Sequence, residues 1–223
     1  MKKTRIVLVV GSLALMFAAI TAAWRAGLPV ARARVQATHR EAGGSLPYTA
    51  ADLVGEWDSV GCASAHQIGA HTPDAFFRRF YLFSETSFNV RYSYYTDPAC
   101  RTPVFSERIN GWSELGRVRP DLPYTREALV VYGTVLLTAD SAIGQKVLAS
   151  CGAAAWTIGQ EYDLTAPGCP AAGLRPRSTC IGDYELVRVQ NGVYYPGYRA
   201  ADMCLRSGRP TRTQSVGARK VSG

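Results

Sequence analysis

Between residues 76 and 138 the chain repeats one pattern. Apolar and aromatic positions lie two apart in short runs, and polar turns separate the runs. Phe76 to Phe83 and Ser87 to Tyr95 flank Ser84-Glu85-Thr86 and read as two strands of a hairpin. In the second run Phe88, Val90, Tyr92 and Tyr94 share one face, and Asn89, Arg91 and Ser93 share the other, as in a half-buried strand. In the first run Phe76, Arg78, Phe80 and Leu82 alternate with Phe77, Arg79, Tyr81 and Phe83. Both faces carry aromatics, so the pattern selects no buried side. Val104 to Trp112 follows Pro103 as a third strand, and a turn-rich stretch from Gly116 to Pro123 precedes the longest one, Glu127 to Thr138. On that strand Leu129, Val131, Val135 and Leu137 share a face. Asp140-Ser141 caps a short helix over Ala142 to Ala149. Ala154 to Leu164, with Trp156, Ile158 and Tyr162, reads as a strand. Asp183 to Gln190 and Val193 to Tyr198 form a last hairpin about Asn191-Gly192, a type I′ turn signal. The predicted fold class is all-β: an antiparallel curved sheet closing into a barrel or half-barrel, with one short helix. A sandwich fits the same pattern.

The N-terminus breaks this pattern. Met1-Lys-Lys-Thr-Arg5 is basic, and Ile6 to Trp24 carries no charge. A positive flank before an apolar run of this length predicts a signal peptide, cleaved after Ala23 or Ala33, or a retained signal-anchor helix over residues 1–24. Residues 25–47, rich in Ala, Arg and Gly, read as a flexible spacer. The expected domain is 48–205, and the basic stretch 206–223 is expected to be a disordered tail. Everything from about residue 45 onward is then extracytoplasmic, in the periplasm or at the cell surface.

Composition narrows the classes. The chain is 47% hydrophobic and 19% charged, with 12 Tyr, 7 Phe and 4 Trp, enough to build a core. Its formal charge of +8 falls to +5 without Lys2, Lys3 and Arg5, and the tail holds Arg206, Arg209, Arg212, Arg219 and Lys220 with no acid after Asp202. The folded middle is near neutral and lacks the basic stripe of a nucleic-acid binder. The six cysteines all lie beyond the leader and read as three disulfides, out of fifteen connectivities. Pairing in chain order gives Cys62–Cys100, Cys151–Cys169 and Cys180–Cys204, each clipping one hairpin or loop. No CxxC occurs and no His sits near a Cys pair, so neither a zinc site nor another cofactor is expected. For catalysis there is no HxH, HExxH or GxSxG, and no catalytic residue is assigned. His39 lies in the spacer. His66, His71 and Asp74 are the thin basis for a metal site or, with a distant serine, for an extracytoplasmic hydrolase.

Several ordered segments resemble the domain of the adenomatosis polyposis coli down-regulated 1 family. They are Leu53-Val-Gly-Glu-Trp57 through Gly61-Cys62, the Phe-rich strand, Tyr92 through Asp97-Pro98-Ala99-Cys100, and Thr102-Pro103-Val104-Phe105-Ser106. Further on come the helix leading to Cys151-Gly152, then Trp156, Asp163-Leu164-Thr165, Gly168-Cys169 and Tyr184-Glu185-Leu186. The likeness spans roughly residues 52–198. It implies a membrane-anchored extracellular β-barrel whose apolar pocket takes up lipid, including the acyl chain of Wnt, and a restraint on Wnt signalling in animals. This chain shows one copy where the animal proteins carry two, an N-terminal rather than C-terminal membrane segment, and an additional Cys180–Cys204 staple.

The expected function is therefore non-enzymatic binding of a lipid or acyl chain. The pocket residues would be Phe80, Leu82, Phe88, Val90, Tyr92, Tyr94, Phe105, Val131, Val135, Leu137 and Trp156. The same residues would equally well fill a solid core, and the alternative is then a cell-surface protein-interaction module. Arg78, Arg79 and Arg91 are candidates for a carboxylate or phosphate head group, or for a solvated strand face.

Overall fold

A strand with one apolar face needs something to cover that face, and here the sheet covers itself. The computed structural model describes residues 48–68, 75–152, 155–199 and 202–222. The expected leader helix and spacer lie outside them. Among the described residues no helix is long and apolar enough to cross a membrane.

The elements in chain order are α1 (Ala50–Leu53), β1 (Gly55–Ser59), β2 (Ala63–Ser64), α2 (Ala65–Ile68), β3 (Phe76–Phe83), β4 (Phe88–Tyr95), β5 (Pro103–Val118) and β6 (Thr125–Ala139). They continue with α3 (Ala142–Leu148), β7 (Glu161–Asp163), β8 (Gly182–Gln190), β9 (Val193–Pro196) and β10 (Ala218–Ser222). Eight of these strands pair antiparallel in the order β1-β10-β9-β8-β6-β5-β4-β3, and β3 pairs back with β1 to close a barrel. Closure removes the open sheet edge and rules out the sandwich. β2 pairs antiparallel with the start of β3, and β7 pairs with β6.

β3 has the clearest alternation. Phe77, Arg79, Tyr81 and Phe83 are buried, whereas Arg78, Phe80 and Leu82 are exposed. β4 sends Phe88, Val90, Tyr92 and Tyr94 inward. One cluster, with Trp57, Tyr81, Phe83, Phe88, Val90, Val130, Val187 and Tyr194, packs one part of the interior. A second, with Phe105, Leu137, Ala139, Leu148, Trp156 and Leu164, forms where α3 and the following loops lie against β5 and β6. α3 starts where the sequence places it: the Ser141 hydroxyl accepts from the Gly144 N–H at 3.2 Å. At the β8–β9 turn Asn191 and Gly192 have φ of 53° and 70°, the left-handed pair of a type I′ turn.

Four sequence expectations need correction. The stretch 206–223 is no loose tail: it contributes β10, which sits between β1 and β9 and closes the ring. Among the described residues of the predicted strand Ala154 to Leu164, only Glu161–Asp163 is strand. Phe80 and Leu82 lie on the outer face of β3 and line no interior. Leu129 and Val131 do not share a face with Val135 and Leu137. The β5–β6 register shifts at Asn110/Gly111, where Gly111 faces Tyr132 and leaves Gly133 as the extra residue. That bulge inverts the alternation. It needs Gly111, because a Cβ there would lie 1.9 Å from the Val131 carbonyl oxygen. Val131 pairs directly with Trp112 and lies on the face opposite Val130 and Tyr132; it is buried there but does not line the interior.

Candidate ligand-binding site

The barrel is not filled throughout. A cavity of about 610 Å3 opens beside the second cluster, and this size suits a small amphipathic molecule. Its inner wall comes from β4 (Tyr92, Tyr94), β5 (Phe105, Glu107, Ile109) and β6 (Tyr132, Val135). Tyr94 stacks on Phe105 with centroids 4.4 Å apart, and on Tyr92 at 6.3 Å. The mouth is built from Leu164, Thr165 and the segment 170–175 on one side and Met203 and Cys204 on the other.

The mouth is held in place by backbone bonds and disulfides. The Leu164 N–H donates to the Val135 carbonyl at 2.9 Å, and the Val135 N–H donates to the Thr165 hydroxyl at 2.8 Å. Cys151–Cys169 anchors the start of the 170–175 segment next to α3, and Cys180–Cys204 borders the opening. Cys62–Cys100 clips the other expected pair, so all three disulfides follow the chain-order pairing. Three disulfides are the mark of an oxidising, extracytoplasmic environment. The sulfurs of Cys180 and Cys204 lie within 4.8 Å of the Asp183 carboxylate, but they are bonded to each other and supply no thiolate to a metal.

Of the eleven expected pocket residues, Tyr92, Tyr94, Phe105 and Val135 line the cavity. Phe88 and Val90 are packed in the first cluster, and Leu137 and Trp156 in the second. Arg78 pairs with Asp58 at 2.8 Å on the outside, and Arg91 is exposed and reaches the Ser106 hydroxyl at 3.5 Å. Arg79 points inward, but its guanidinium donates to Gln214 Oε1 at 2.6 Å and to the Val216 carbonyl at 3.1 Å. Its role is to tie the segment before β10 to the interior. His66 is exposed on α2, and His39, His71 and Asp74 lie outside the described residues.

The sequence reading missed the charges. Glu107, Asp183 and Glu185 are buried, and Glu107 and Asp183 line the cavity together with Arg199. Arg199 donates to Asp183 and stands 3.9 Å from Glu185. Burial pushes the Glu107 carboxyl up to about 7; Arg199 pulls it down and Asp183 pushes it up again. Glu185 is also raised to about 7, by burial first, although Arg199 opposes the rise and two backbone N–H groups hydrogen-bond its carboxylate. Burial, and then the nearby Asp183 carboxylate, hold the Tyr132 phenol well above its ordinary pKa. The period-two rule did carry a signal for these groups: Glu107 alternates with Phe105 and Ile109, and Asp183 and Glu185 alternate with Val187. The pocket is therefore amphipathic, aromatic on one wall and ionic on another. Comparison with known proteins finds no family model and no curated protein that matches this chain.

Proposed function

We propose that this is a non-enzymatic, extracytoplasmic barrel domain that takes a lipid or acyl chain into the cavity beneath the 164–175 segment. The observation that carries the reading is the void of about 610 Å3 among Tyr92, Tyr94, Phe105, Ile109, Tyr132 and Val135. Closely packed interiors leave few spaces larger than a water molecule, and each methylene moved from water into an apolar site contributes about 0.8 kcal/mol. The three disulfides and the basic, apolar N-terminus support export, with the N-terminal run as membrane tether. Resemblance to the adenomatosis polyposis coli down-regulated 1 domain points to the same class of ligand. Regulation of Wnt signalling belongs to that family's animal members, and the transferable part is uptake of a chain.

The test is extraction of lipid from the natively purified full chain, with mass spectrometry, beside Val135→Trp, which fills the void from β6. Lipid in the wild type and a several-fold loss in the variant at unchanged melting temperature are expected. A wild-type chain that yields no lipid and takes up no fluorescent acyl probe overturns the reading. A protein-interaction surface is a second reading, favoured by the exposed Phe80, Leu82 and Trp112 on the outer face.

A further inference from the structure

Five acidic or basic side chains face the interior: Arg79 from β3, Glu107 from β5, Asp183 and Glu185 from β8, and Arg199 just after β9. The acids outnumber the bases, and the partners show where the excess falls. Arg79 is spent on Gln214 and Val216. Glu185 Oε1 accepts the N–H groups of Leu186 and Gly197, both at 2.8 Å. Asp183 receives Arg199. Glu107 has, among the described residues, the Tyr94 hydroxyl at 3.4 Å as its hydrogen-bond partner. A carboxylate can accept about four hydrogen bonds, and a buried one that lacks them is costly. Arg199 acts on Glu107 through its charge, while its hydrogen bond goes to Asp183. The unmet demand therefore sits at Glu107, on the cavity wall.

The groups around it have a definite chemistry. Tyr94 stacks between Tyr92 and Phe105, and Tyr132 lies beside Asp183. Aromatic rings and carboxylates around one void form a recognition set for an organic cation. An anionic head finds no such set. Arg199 is committed to Asp183, Arg175 at the mouth pairs with Asp202, and Arg177 donates to the Gly133 carbonyl at 2.6 Å.

Resting on the reading that the cavity takes an amphipathic chain, we propose that the ligand's head is a primary ammonium group seated against the Glu107 carboxylate. Its three N–H donors meet the carboxylate oxygens, and its apolar chain runs past Ile109 and Val135 toward Leu164 and Leu174 at the mouth. Burial first, and the nearby Asp183 carboxylate after it, raise the Glu107 pKa against the pull of Arg199, and an ammonium beside it restores the carboxylate.

The test is calorimetric titration of the full chain, stripped of lipid, with dodecylammonium, dodecanol and dodecanoate below their micelle concentrations. The ammonium is expected to bind at least ten-fold tighter than the carboxylate and tighter than the alcohol. In Glu107→Gln the ammonium should lose this advantage and bind no tighter than dodecanol. Dodecanoate binding as tightly as the ammonium, or a full ammonium preference in Glu107→Gln, overturns the proposal and leaves the chain-uptake reading standing. Binding of none of the three overturns both. Should Glu107→Gln fail to fold, the order of the three ligands on the wild type decides alone.

Discussion

Glu107 is the residue with the most to say about solution behaviour. Its carboxyl, and that of Glu185, titrate near 7 in the fold against an ordinary 4.5. The folded state then holds protons that the unfolded chain has released over pH 4.5 to 7. Stability contributed by these groups is full below about 4.5 and is lost as pH rises through 7. Each such shift is worth on the order of 3 kcal/mol. The lowered surface carboxyls act elsewhere. Asp97, held down first by the Thr102 N–H and also by those of Arg101 and Ala99, contributes stability that is full above its ordinary 3.8 and is lost only as pH falls below it. We predict that the melting temperature falls between pH 5 and pH 8. Glu107→Gln should flatten part of that slope and raise the melting temperature by several degrees at pH 8, with little change at pH 5. Differential scanning calorimetry across this range checks both expectations, and a wild-type melting temperature that rises over the same range contradicts the assignment.

At the scale of elements, β10 has more effect than its composition suggests. Its residues Ala218 to Val221 carry a single fully buried side chain, Ala218, yet the strand pairs with β1 on one side and β9 on the other. Lys220 covers the Trp57 ring at 5.8 Å, and the chain leading to the strand is tied inward by Gln214 and Val216 on Arg79. Without it, β1 and β9 would each present an unpaired edge, and the first cluster would open beside Tyr194. Deletion of residues 206–223 is therefore expected to abolish cooperative unfolding, read by circular dichroism, and to drive aggregation. Unchanged cooperative melting of the truncated chain would show that the ring does not depend on β10.

At the scale of the molecule, one disulfide, Cys180–Cys204, lines the cavity, and a second, Cys151–Cys169, directly precedes the 170–175 segment that lines it. Cys180–Cys204 closes a loop of 24 residues and borders the opening. The chain-entropy model gives such a link about 3 kcal/mol. Cys180→Ser with Cys204→Ser should lower stability by about that amount in denaturant titrations. It should also weaken uptake of a fluorescent acyl probe several-fold, because the segment with Met203 and Arg199 loses its anchor. A reductant should do the same to the wild type. Equal stability with unaltered uptake would assign the link no part in shaping the mouth. The whole fold thus joins two unlike regions, a packed aromatic core and a lined void, inside one closed sheet.

The sequence by itself determined the all-β class, the hairpins, the α3 cap and the Asn191-Gly192 turn, and it set the count of three disulfides but left their connectivity to the structure. The class, the hairpins, the cap and the turn follow from local rules: side-chain period, capping chemistry and turn residues. It also placed Tyr92, Tyr94, Phe105 and Val135 on inward faces. Only the tertiary structure decided which face of β3 is inside, because Phe80 and Leu82 are as apolar as Tyr81 and Phe83, and ring closure alone breaks the tie. It decided that Val131 lies on the other face from Val135, through a bulge that depends on two strands meeting at Gly111. It recruited β10, whose hydrogen bonds come from neighbours distant in sequence. And it gathered Glu107, Asp183, Glu185 and Arg199 into one interior, because a buried charge is specified by partners on other strands and not by the residues beside it.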